Sequence, residues 1–564
     1  MVLNVAPSRT PRFPAALALL LWCALGAALV QLVLVRVAPN PRGFSPIFWY
    51  LLNAYDTHGN LLLIALAVCA FLLRRHPAAI ALVRIAGDHP WRIAAAALLL
   101  FCAGALTVYR GYPLAMDEYV AVFQAQAFAG GRLGGQFPPE LLDQLLPRFP
   151  GAYFFTASRI GGEVSGSYWP GFALLVAPFA WLGIPWAANP VLSALTLPAL
   201  HRLTLAVSGS REAAGWAVLL LLASPVFVVS ALSFYSMPAH LLCNLLYALL
   251  LLQPTITRAL LAGLLGGLAL TLHNPAPHLL FSVAFVVWLL ARRTPIAVLA
   301  ALLAGYLPVV ALLGYGWSHH LAALAAAGAS AGAGNLPGTA PAASPSALSR
   351  FAAIVSSALV FPTPKILEAR LAGLSKAWDW GAAGLMVLAA WGFAVARSET
   401  AVKVLAAALA ITFFGYFVVP LDQGHGWGYR YLHSAWFVLP LLAGLALSRM
   451  ADPEFRNMAA WAAALSLVFA NGLRLTQVEG FVGRHLSLVP PLARAADPAR
   501  AEIVFIDPAA GSYTRDMVHN DPFLRGSRMT MVYDGPEKTA ALMAQRFPAY
   551  TRRAQEKWGE WWTE

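Results

Sequence analysis

The sequence predicts an α-helical polytopic membrane protein, and its composition, its apolar runs and the placement of its basic residues support this class. Of its 564 residues, 59% are hydrophobic and 11% are charged, whereas soluble domains carry about 25% charged residues. Long apolar runs recur between 15 and 471. Because only helices satisfy their own backbone hydrogen bonds in lipid across many short segments, we interpret each run as a helix.

The net charge of +13 fits Lys and Arg residues that lie in cytoplasmic loops and fix the topology. A nucleic-acid-binding protein would carry a basic face on a soluble domain, and the sequence has none, so no nucleic-acid partner is expected. The four cysteines lie inside apolar runs and are interpreted as small core side chains rather than disulfides or metal ligands. They are Cys23, Cys69, Cys102 and Cys243.

Hydropathy and flanking basic residues predict about thirteen transmembrane helices, with a cytoplasmic N-terminus and an outer C-terminus. The run 170–183 has about 14 residues, which is short for a crossing, and Trp169, Trp181 and Trp186 bracket it. We interpret this run as an interfacial or re-entrant helix. The predicted spans are 15–35, 60–73, 92–107, 188–207, 213–232, 238–252, 259–272, 277–291, 296–315, 382–396, 402–420, 431–447 and 458–471.

The chain divides into four predicted regions. In the tail, a strand at 503–506 and a second strand from 528 are each followed by a turn and a helix, which predicts a small α/β domain. Asp507 and Asp516 are interpreted there as turn and cap residues. The regions are N-terminal transmembrane helices at 1–108, a first large outer loop at 109–187, a transmembrane core at 188–472 that includes an outer loop at 316–381, and the outer α/β tail at 473–564.

Two amphipathic helices are predicted on the outer face. The segment "FPTPKILEARL" in the outer loop at 316–381 predicts a surface helix near the membrane. The other helix begins at Asp117-Glu118 and ends at Gly130-Gly131. The two acids suit a helix N-terminus, where they stabilise the helix dipole. The alternative is a carboxylate at the lip of a membrane cavity, acting as a general base or a metal ligand.

Five segments carry a resemblance to a known family. They are "MDEYVAVFQAQAFAGGRL", "GSYWPGFALLVAPFAWLGIPWAANPVLSALTLPALHRL", "SFYSMPAH", "LTLHNPAPHLL" and "GWGYRYLHSAWFVLPLLAGL". In this order they resemble the polyprenyl-phosphate-dependent glycosyltransferases of the GT-C fold, glycosyltransferase family 39-like, near the protein mannosyltransferases and the lipid A aminoarabinose transferase. The resemblance runs from 109 to 449. In that superfamily an acidic pair opens the first outer loop, and an aromatic-Pro segment follows, here Tyr168-Trp169-Pro170-Gly171.

The resemblance implies an inverting transfer of a sugar from a polyprenyl phosphate to an acceptor hydroxyl. Asp117 and Glu118 are the implied catalytic pair, with Asp117 accepting or orienting the acceptor proton. Arg430 is the candidate cation for the leaving phosphate, with an interfacial snorkelling arginine as the alternative. His425 and Lys365 are further phosphate candidates. The remaining candidates around the cavity are Glu163, for which a solvated turn is the alternative, Tyr168, His240, His273, Asn274 and Tyr429.

Cofactors, partners and location follow from the same resemblance and from composition. His273-Asn274 stands where relatives carry a basic residue. No compact metal-ligand spacing occurs, so no metal ligand is assigned, and a divalent cation, Mg or Mn, stays an open alternative. The expected partners are a polyprenyl-phosphate-linked sugar, a lipid, glycan or protein acceptor, and membrane lipids. Ala, Leu and Arg usage suggests a bacterial inner membrane, with the site on the periplasmic side.

Two other functions stay open from the sequence. A transporter or flippase for lipid or glycan would have a similar topology, but it should show charged or broken helices at the midplane and internal repeats. The sequence shows neither clearly. An inactive scaffold of an envelope complex is the other alternative.

Overall fold

The computed structural model describes residues 26, 27, 29–31, 33, 46–147, 154–329, 361–419, 423–511 and 513–564. The predicted span 15–35 lies mostly outside these residues, and so do Cys23 and much of the predicted outer loop at 316–381. The helices are α1 (Ile47–Leu72), α2 (Ile80–Asp88), α3 (Pro90–Thr107), α4 (Met116–Ala129), α5 (Leu142–Leu145), α6 (Gly171–Trp181), α7 (Pro185–Ser208), α8 (Arg211–Leu222), α9 (Pro225–Leu232), α10 (Met237–Leu251), α11 (Ile256–Thr271), α12 (Ala276–Ala291), α13 (Ile296–Ala327), α14 (Pro364–Asp379), α15 (Leu385–Ala396), α16 (Thr400–Val418), α17 (Arg430–His433), α18 (Val438–Ser448), α19 (Pro453–Ser487) and α20 (Pro536–Arg546).

Within the described residues, six helices are long and apolar enough to cross a membrane, namely α1, α3, α7, α13, α16 and α19. A seventh crossing is formed if α8 and α9, which meet at an angle of 61°, count as one span. Six shorter apolar helices lie among them: α6, α10, α11, α12, α15 and α18. The predicted class of polytopic helical membrane protein is confirmed, while the number of about thirteen spans stays a prediction.

Several predicted helix limits differ from the structure: α1 begins at Ile47 rather than near 60, and the predicted span 431–447 is divided into α17 and α18. The predicted span 213–232 is divided into α8 and α9, because Pro225 opens α9 and its ring would clash with a carbonyl of a continuous helix. The helix α13 does not end at 315, since a π-helical turn at Val310–Gly316 carries it onward. The last long helix, α19, also continues to Ser487, so the predicted boundary between 472 and 473 falls inside it.

The helix α14 packs one face against the bundle, whereas Leu367, Leu371 and Leu374 are exposed, and the surface helix near the membrane stays a prediction for this segment. Nine of its 16 residues are buried. Its buried Lys376 donates to Asp56 of α1 at 2.5 Å, and Arg474 of α19 reaches the same carboxylate at 3.1 Å. Trp380 adds a third contact to Asp56, a hydrogen bond of 2.7 Å. A buried charge cluster thus joins α1, α14 and α19, which sequence periodicity does not reveal.

Close helix packing elsewhere depends on small residues, as in many membrane bundles. The helices α11 and α13 approach each other at Gly263 and Gly305. A Cβ at Gly263 would meet the Leu302 backbone, and a Cβ at Gly305 would meet the Leu260 backbone. Only glycine therefore allows these two backbones to touch.

Two small sheets lie beside the helices. The first outer segment holds β1 (Gly135–Gln136), β2 (Phe155–Ala157) and β3 (Glu163–Gly166), with antiparallel order β1-β3-β2. The tail holds β4 (Glu502–Ile506), β5 (Arg528–Val532), β6 (Thr551–Glu556) and β7 (Gly559–Thr563), in the order β5-β4-β7-β6. The strands β4 and β5 are parallel, whereas β7 pairs antiparallel with β4 and β6.

The predicted tail elements are largely present. Both predicted strands and the helix after the second strand are found as β4, β5 and α20. The helix expected after the first strand is only a 3-10 turn at Thr514–Met517, and the hairpin of β6 and β7 was not predicted. The tail is confirmed as a small α/β unit.

The tail packs directly on the first outer segment. Apolar side chains from both parts share one core, and they include Met116, Phe123 and Phe137 from the outer segment and Ile503, Phe505, Met531 and Met543 from the tail. The Tyr119 hydroxyl of α4 donates to the Asn520 carbonyl at 2.7 Å and accepts from the Asn520 N–H at 2.6 Å. These contacts fix the tail over the start of α4.

Candidate active site

The helix α4 begins with Met116, and its first turn carries the two acids. The chain enters the helix in an extended conformation at Ala115, so a capping group must satisfy the first N–H groups. Asp516 of the tail accepts from the Met116 N–H at 2.9 Å. Glu118 accepts from the N–H groups of Leu114 at 2.8 Å and Ala115 at 3.3 Å.

Glu118 is buried and held by the protein's own donors, and its catalytic role stays a prediction. Its carboxylate is fully buried and also accepts from the Tyr109 hydroxyl at 3.1 Å and the Phe234 N–H at 3.0 Å. Burial raises the pKa of Glu118 to about 7, although its hydrogen bonds act in the opposite direction. Glu118 lines neither of the pockets described below. It joins the start of α4 to the segment after α9.

Asp117 points the other way, into a pocket, and pairs with Arg430. Its Oδ2 lies 3.2 Å from the Arg430 Nη1, and its Oδ1 accepts a hydrogen bond from the Tyr168 hydroxyl. The side chain is 27% exposed. Burial opposes ionisation, but the charge of Arg430, together with His273 and the Tyr168 hydroxyl, lowers the pKa of Asp117 below its ordinary value. Asp117 is therefore ionised at neutral pH.

Arg430 opens α17 and is held by the segment before it. Its Nη1 donates to the carbonyl oxygens of Gln423 at 2.9 Å and His425 at 2.8 Å, and its Cζ lies 4.2 Å from the centre of the Tyr235 ring. A Cβ at Gly426 would meet the Arg430 side chain, so glycine leaves room for it. With a 14% exposed side chain, Arg430 is a fixed and largely buried cation.

Two pockets meet at Asp117. A small pocket of about 20 Å³ is lined by Asp117, Tyr168, Tyr235, His273 and Arg430, among others. A large cavity of about 900 Å³ lies between α1, α19 and the tail, and its lining includes Ile47, Asp117, Phe154, His425, Phe481, Arg484, Tyr513 and Asp516. Asp117 belongs to both linings. The prediction that Asp117 and Arg430 share one pocket is therefore confirmed.

Three other candidates also reach these pockets. Tyr168 and His273 stand edge to face in the small pocket, with 4.0 Å between ring centres. His425 lines the large cavity, and its Nδ1 lies 2.6 Å from the Tyr513 hydroxyl. Burial, and then the charge of Arg430, lower the pKa of His425 to about 3. His425 is thus neutral and offers a hydrogen bond rather than a positive charge.

The remaining candidates lie away from both pockets. Lys365 is exposed near the start of α14, and Glu163 lies on β3, 4.0 Å from the His320 Nε2. Asn274 is exposed, and its Oδ1 accepts from the Ala276 N–H at the start of α12, which makes it a capping residue. His240 and Tyr429 are buried between helices. None of these five lines the small pocket or the large cavity, and their roles stay predictions.

Sequence reasoning missed residues that only the fold brings to the site. Gln423 binds the Arg430 N–H with its Oε1 at 3.0 Å, and Tyr235 stacks under the guanidinium. Asp516 does act as a cap, as predicted, but for α4 rather than for a tail turn, and it lines the large cavity. Its 400-residue separation from Met116 leaves no local signal in the sequence.

A divalent cation finds no ligand set in the described part of the chain. There, no three His, Cys, Asp or Glu side chains lie together in a way that would hold a metal ion. Asp117 already uses both carboxylate oxygens within the protein. The alternative of Mg or Mn gains no support from these residues.

Comparison with known proteins gives a structural match and no sequence match. No family model and no curated protein sequence matches the chain. The solved structure of ArnT from Cupriavidus metallidurans bound to undecaprenyl phosphate is similar, with a TM-score of 0.51 and 12% identity over 83% of this chain and 97% of that chain. The apo structure of the same ArnT gives a TM-score of 0.47 and 14% identity over 83% of this chain and 98% of that chain.

These comparisons concern the fold. The similarity to ArnT in its lipid-bound structure extends over most of both chains and confirms the GT-C fold that the sequence segments indicated. At this identity the similarity does not extend by itself to substrates, and the assignment of chemistry depends on the site.

Proposed function

We propose that this chain is a membrane-bound inverting glycosyltransferase, which moves a sugar from a polyprenyl-phosphate donor to an acceptor hydroxyl. The observation that carries the proposal is the Asp117–Arg430 pair at the meeting point of two pockets, in a chain with the fold of ArnT. The solved ArnT structure contains undecaprenyl phosphate, which supports a lipid phosphate as the donor carrier. The reaction takes place at the periplasmic face of a bacterial inner membrane, with a cytoplasmic N-terminus and a periplasmic tail.

Arg430 stabilises the leaving phosphate on the donor side. The donor phosphodiester becomes a phosphate monoester with one more negative charge as the bond to the sugar breaks, and a fixed cation in a place with little water stabilises that charge. The Nη1 of Arg430 is used by Asp117 and two carbonyl groups, whereas no other described residue bonds to its Nη2. At about 20 Å³ the pocket has room for about one water molecule. The side chains around Arg430 therefore move apart when the donor binds.

The large cavity takes the acceptor. Its volume of about 900 Å³ lies within the range of about 300–1,000 Å³ that is usual for ligand sites. Phe154, Phe481 and Leu488 give it apolar walls, while Arg484 and Asp516 give it charged groups. Such a lining fits a molecule with both apolar and polar parts, and the acceptor classes are lipid, glycan or protein. An acceptor on this side attacks the sugar opposite to the phosphate at Arg430, which inverts the anomeric centre.

Transport is the second candidate, because two features not expected from the sequence are also typical of transporters. One is the broken helix of α8 and α9, and the other is the buried charge cluster around Asp56. The break is internally satisfied, since the Ser224 hydroxyl donates to the Leu220 carbonyl at 2.7 Å and accepts from the Ala382 N–H at 3.2 Å. Neither pocket described above reaches it.

A deletion strain tests the proposal. Lipids, glycans and envelope proteins of the strain and its parent are compared by mass spectrometry for one missing sugar. We expect the wild-type gene to restore this sugar and Asp117→Asn to leave it missing at equal protein level, because the neutral amide no longer pairs with Arg430.

Asp143→Asn is the matched control, since Asp143 forms an ion pair with Arg159 at 3.0 Å that is partly exposed and distant from both pockets. This variant should restore the sugar fully. Full restoration by Asp117→Asn would contradict the transferase proposal. A strain that lacks no sugar, but in which fluorescent undecaprenyl phosphate no longer crosses the bilayer, would favour transport.

A further inference from the structure

We propose that the tail domain supplies the proton acceptor of the transfer, and that this group is the carboxylate of Asp516. This inference rests on the proposed function and assigns one step of the same reaction. It differs from the expectation from the sequence, in which Asp117 accepts or orients the proton and Asp516 is a local cap.

The position of Asp516 relative to Asp117 is the first observation. Asp516 lies in the 3-10 turn Thr514–Met517, and its Oδ1 accepts from the N–H of Met116, the residue before Asp117. Both carboxylates line the large cavity. Among the described residues, no hydrogen bond or ion pair reaches the Oδ2 of Asp516. One oxygen is therefore fixed, and the other has no bonded partner among the described residues, in a side chain that lines the space assigned to the acceptor.

Asp117 is poorly suited to take the proton. Both of its oxygens are engaged, one by the Tyr168 hydroxyl and the other by Arg430. A carboxylate in such an arrangement is a weak base, as its lowered pKa indicates. Asp117 instead keeps Arg430 in place and orients the acceptor from the donor side. With a separate base on the acceptor side, Asp117 does not have to hold Arg430 and accept the proton at the same time.

The surroundings of Asp516 favour proton uptake near neutral pH. Burial raises the pKa of Asp516 to about 7, and the charges of Asp117 and Glu118 act in the same direction. The hydrogen bond from Met116 and the charge of Arg515 lower it, but burial dominates. A general base is most efficient when its pKa lies near the working pH. The titratable and charged groups that face Asp516 or its part of the cavity are Tyr112, Asp117, Glu118, Tyr168, His425, Arg484, His485, Tyr513, Arg515 and His519.

The residues that follow the turn of Asp516 fix this turn to the first outer segment. The His519 ring stacks on Tyr119 with 4.0 Å between centres and on Tyr112 with 4.9 Å. Asn520 binds both the Tyr119 hydroxyl and the Thr530 backbone. Docking of the tail therefore holds the Asp516 carboxylate in a nearly fixed position. A catalytic base needs such a position in order to meet the proton in the right geometry.

The step is balanced in atoms and electrons. The acceptor oxygen forms a bond to the anomeric carbon, while the bond from that carbon to the phosphate oxygen breaks. The electron pair of the broken bond leaves with the polyprenyl phosphate, which Arg430 stabilises. The acceptor proton passes to the Asp516 carboxylate and is later released to water in the cavity.

The test measures transfer rates over a range of pH with full-length variants. The probe is envelope membrane from the deletion strain, which holds both donor and unmodified acceptor. For the wild type, the rate should fall below about pH 7 as Asp516 becomes protonated. Asp516→Asn keeps an oxygen for the Met116 N–H but removes the titrating group. We expect it to lose about 100-fold or more in rate at high pH and to lose the acidic limb of the profile.

Controls separate this inference from the proposed function. Asp507→Asn changes an aspartate of the same domain, which caps the Ala509 N–H at 2.8 Å outside the cavity, and should keep both rate and pH profile. Asp516→Glu should regain part of the rate together with the acidic limb. If Asp516→Asn keeps the wild-type profile within about threefold in rate while Asp117→Asn is inactive, the role of Asp516 is overturned and the transferase stands. If Asp117→Asn is also fully active, the proposed function fails as well.

Discussion

Asp117 and Arg430 form an ion pair of 3.2 Å, although 313 positions separate them in the chain. The pair joins the first turn of α4 to the segment before α17, and it lies where the small pocket meets the large cavity. Removal of either partner leaves a largely buried charge without its counter-ion. The site therefore depends on two parts of the sequence that are only brought together by the completed fold.

Arg430→Lys should impair transfer even though it keeps the charge. Lysine lacks the planar fork with which Arg430 binds Asp117 and two carbonyl groups while it stacks on Tyr235. Hydrogen bonds to charged groups contribute about 1.5–3 kcal/mol each, so the loss of one such bond predicts a rate lower by about 10- to 100-fold. The rate is measured with envelope membranes of the deletion strain.

The same substitution should weaken binding of undecaprenyl phosphate, measured as a smaller thermal stabilisation by this lipid in detergent. Arg525→Lys is the matched control, because Arg525 binds Asp521 twice at 3.1 Å and its side chain is 62% exposed. A wild-type rate and wild-type lipid binding in Arg430→Lys would contradict the assignment of Arg430 to the phosphate.

Glu118→Gln should affect stability more than chemistry, in contrast to Asp117→Asn. Glu118 accepts from three backbone N–H groups and one hydroxyl, and the glutamine amide turns an acceptor into a donor that faces these groups. A buried donor or acceptor left unsatisfied costs about 1–3 kcal/mol. The melting temperature should fall, while the rate per folded molecule should fall less than in Asp117→Asn. The reverse order would support a catalytic role of Glu118.

The sequence predicted those features that depend on local pattern. Apolar runs located the helices, and the resemblance of five segments indicated the fold, because both signals lie within short stretches. Asp117 and Arg430 were identified in this way. Glu118 is buried while Asp117 lines both pockets, because two adjacent residues on a helix point in different directions, and only the fold shows which direction holds the cavity.

The features that the sequence did not reveal have long-range causes. Asp516 and Tyr235 reach the site through the packing of the tail and of the segment after α9, which no periodicity reveals. The helix α14 exposes apolar side chains on one face, and its Lys376 meets Asp56 inside the bundle, a partner that no local pattern reveals. Histidine at a helix end was a weak signal, since His240 is buried between helices while His273 lines a pocket.

Asp56→Asn should destabilise the protein without a direct effect on the site. The Asp56 carboxylate is fully buried and binds Lys376, Trp380 and Arg474. Removal of one charge from a buried network leaves its partners unpaired, which costs about 3–5 kcal/mol. Thermal unfolding in detergent should show a lower melting temperature, with a normal rate for the folded fraction. An unchanged melting temperature would contradict the importance of this cluster for the joining of α1, α14 and α19.

Asp516→Asn should stabilise the protein at pH 8, and it should stabilise the protein less at pH 5. Burial raises the pKa of Asp516 to about 7 from its ordinary value of 3.8. Between these values the unfolded chain has released the proton while the folded chain keeps it, so stability falls as pH rises through this window. Above about pH 7, the folded wild type is destabilised by a buried negative charge that the asparagine variant lacks. The asparagine amide oxygen can still accept the hydrogen bond from the Met116 N–H. Melting temperatures of wild type, Asp516→Asn and Asp507→Asn at both pH values check this expectation. A variant that is less stable than the wild type at pH 8 would show that the carboxylate is held by attractive contacts, and its charge would then not be poised for proton uptake.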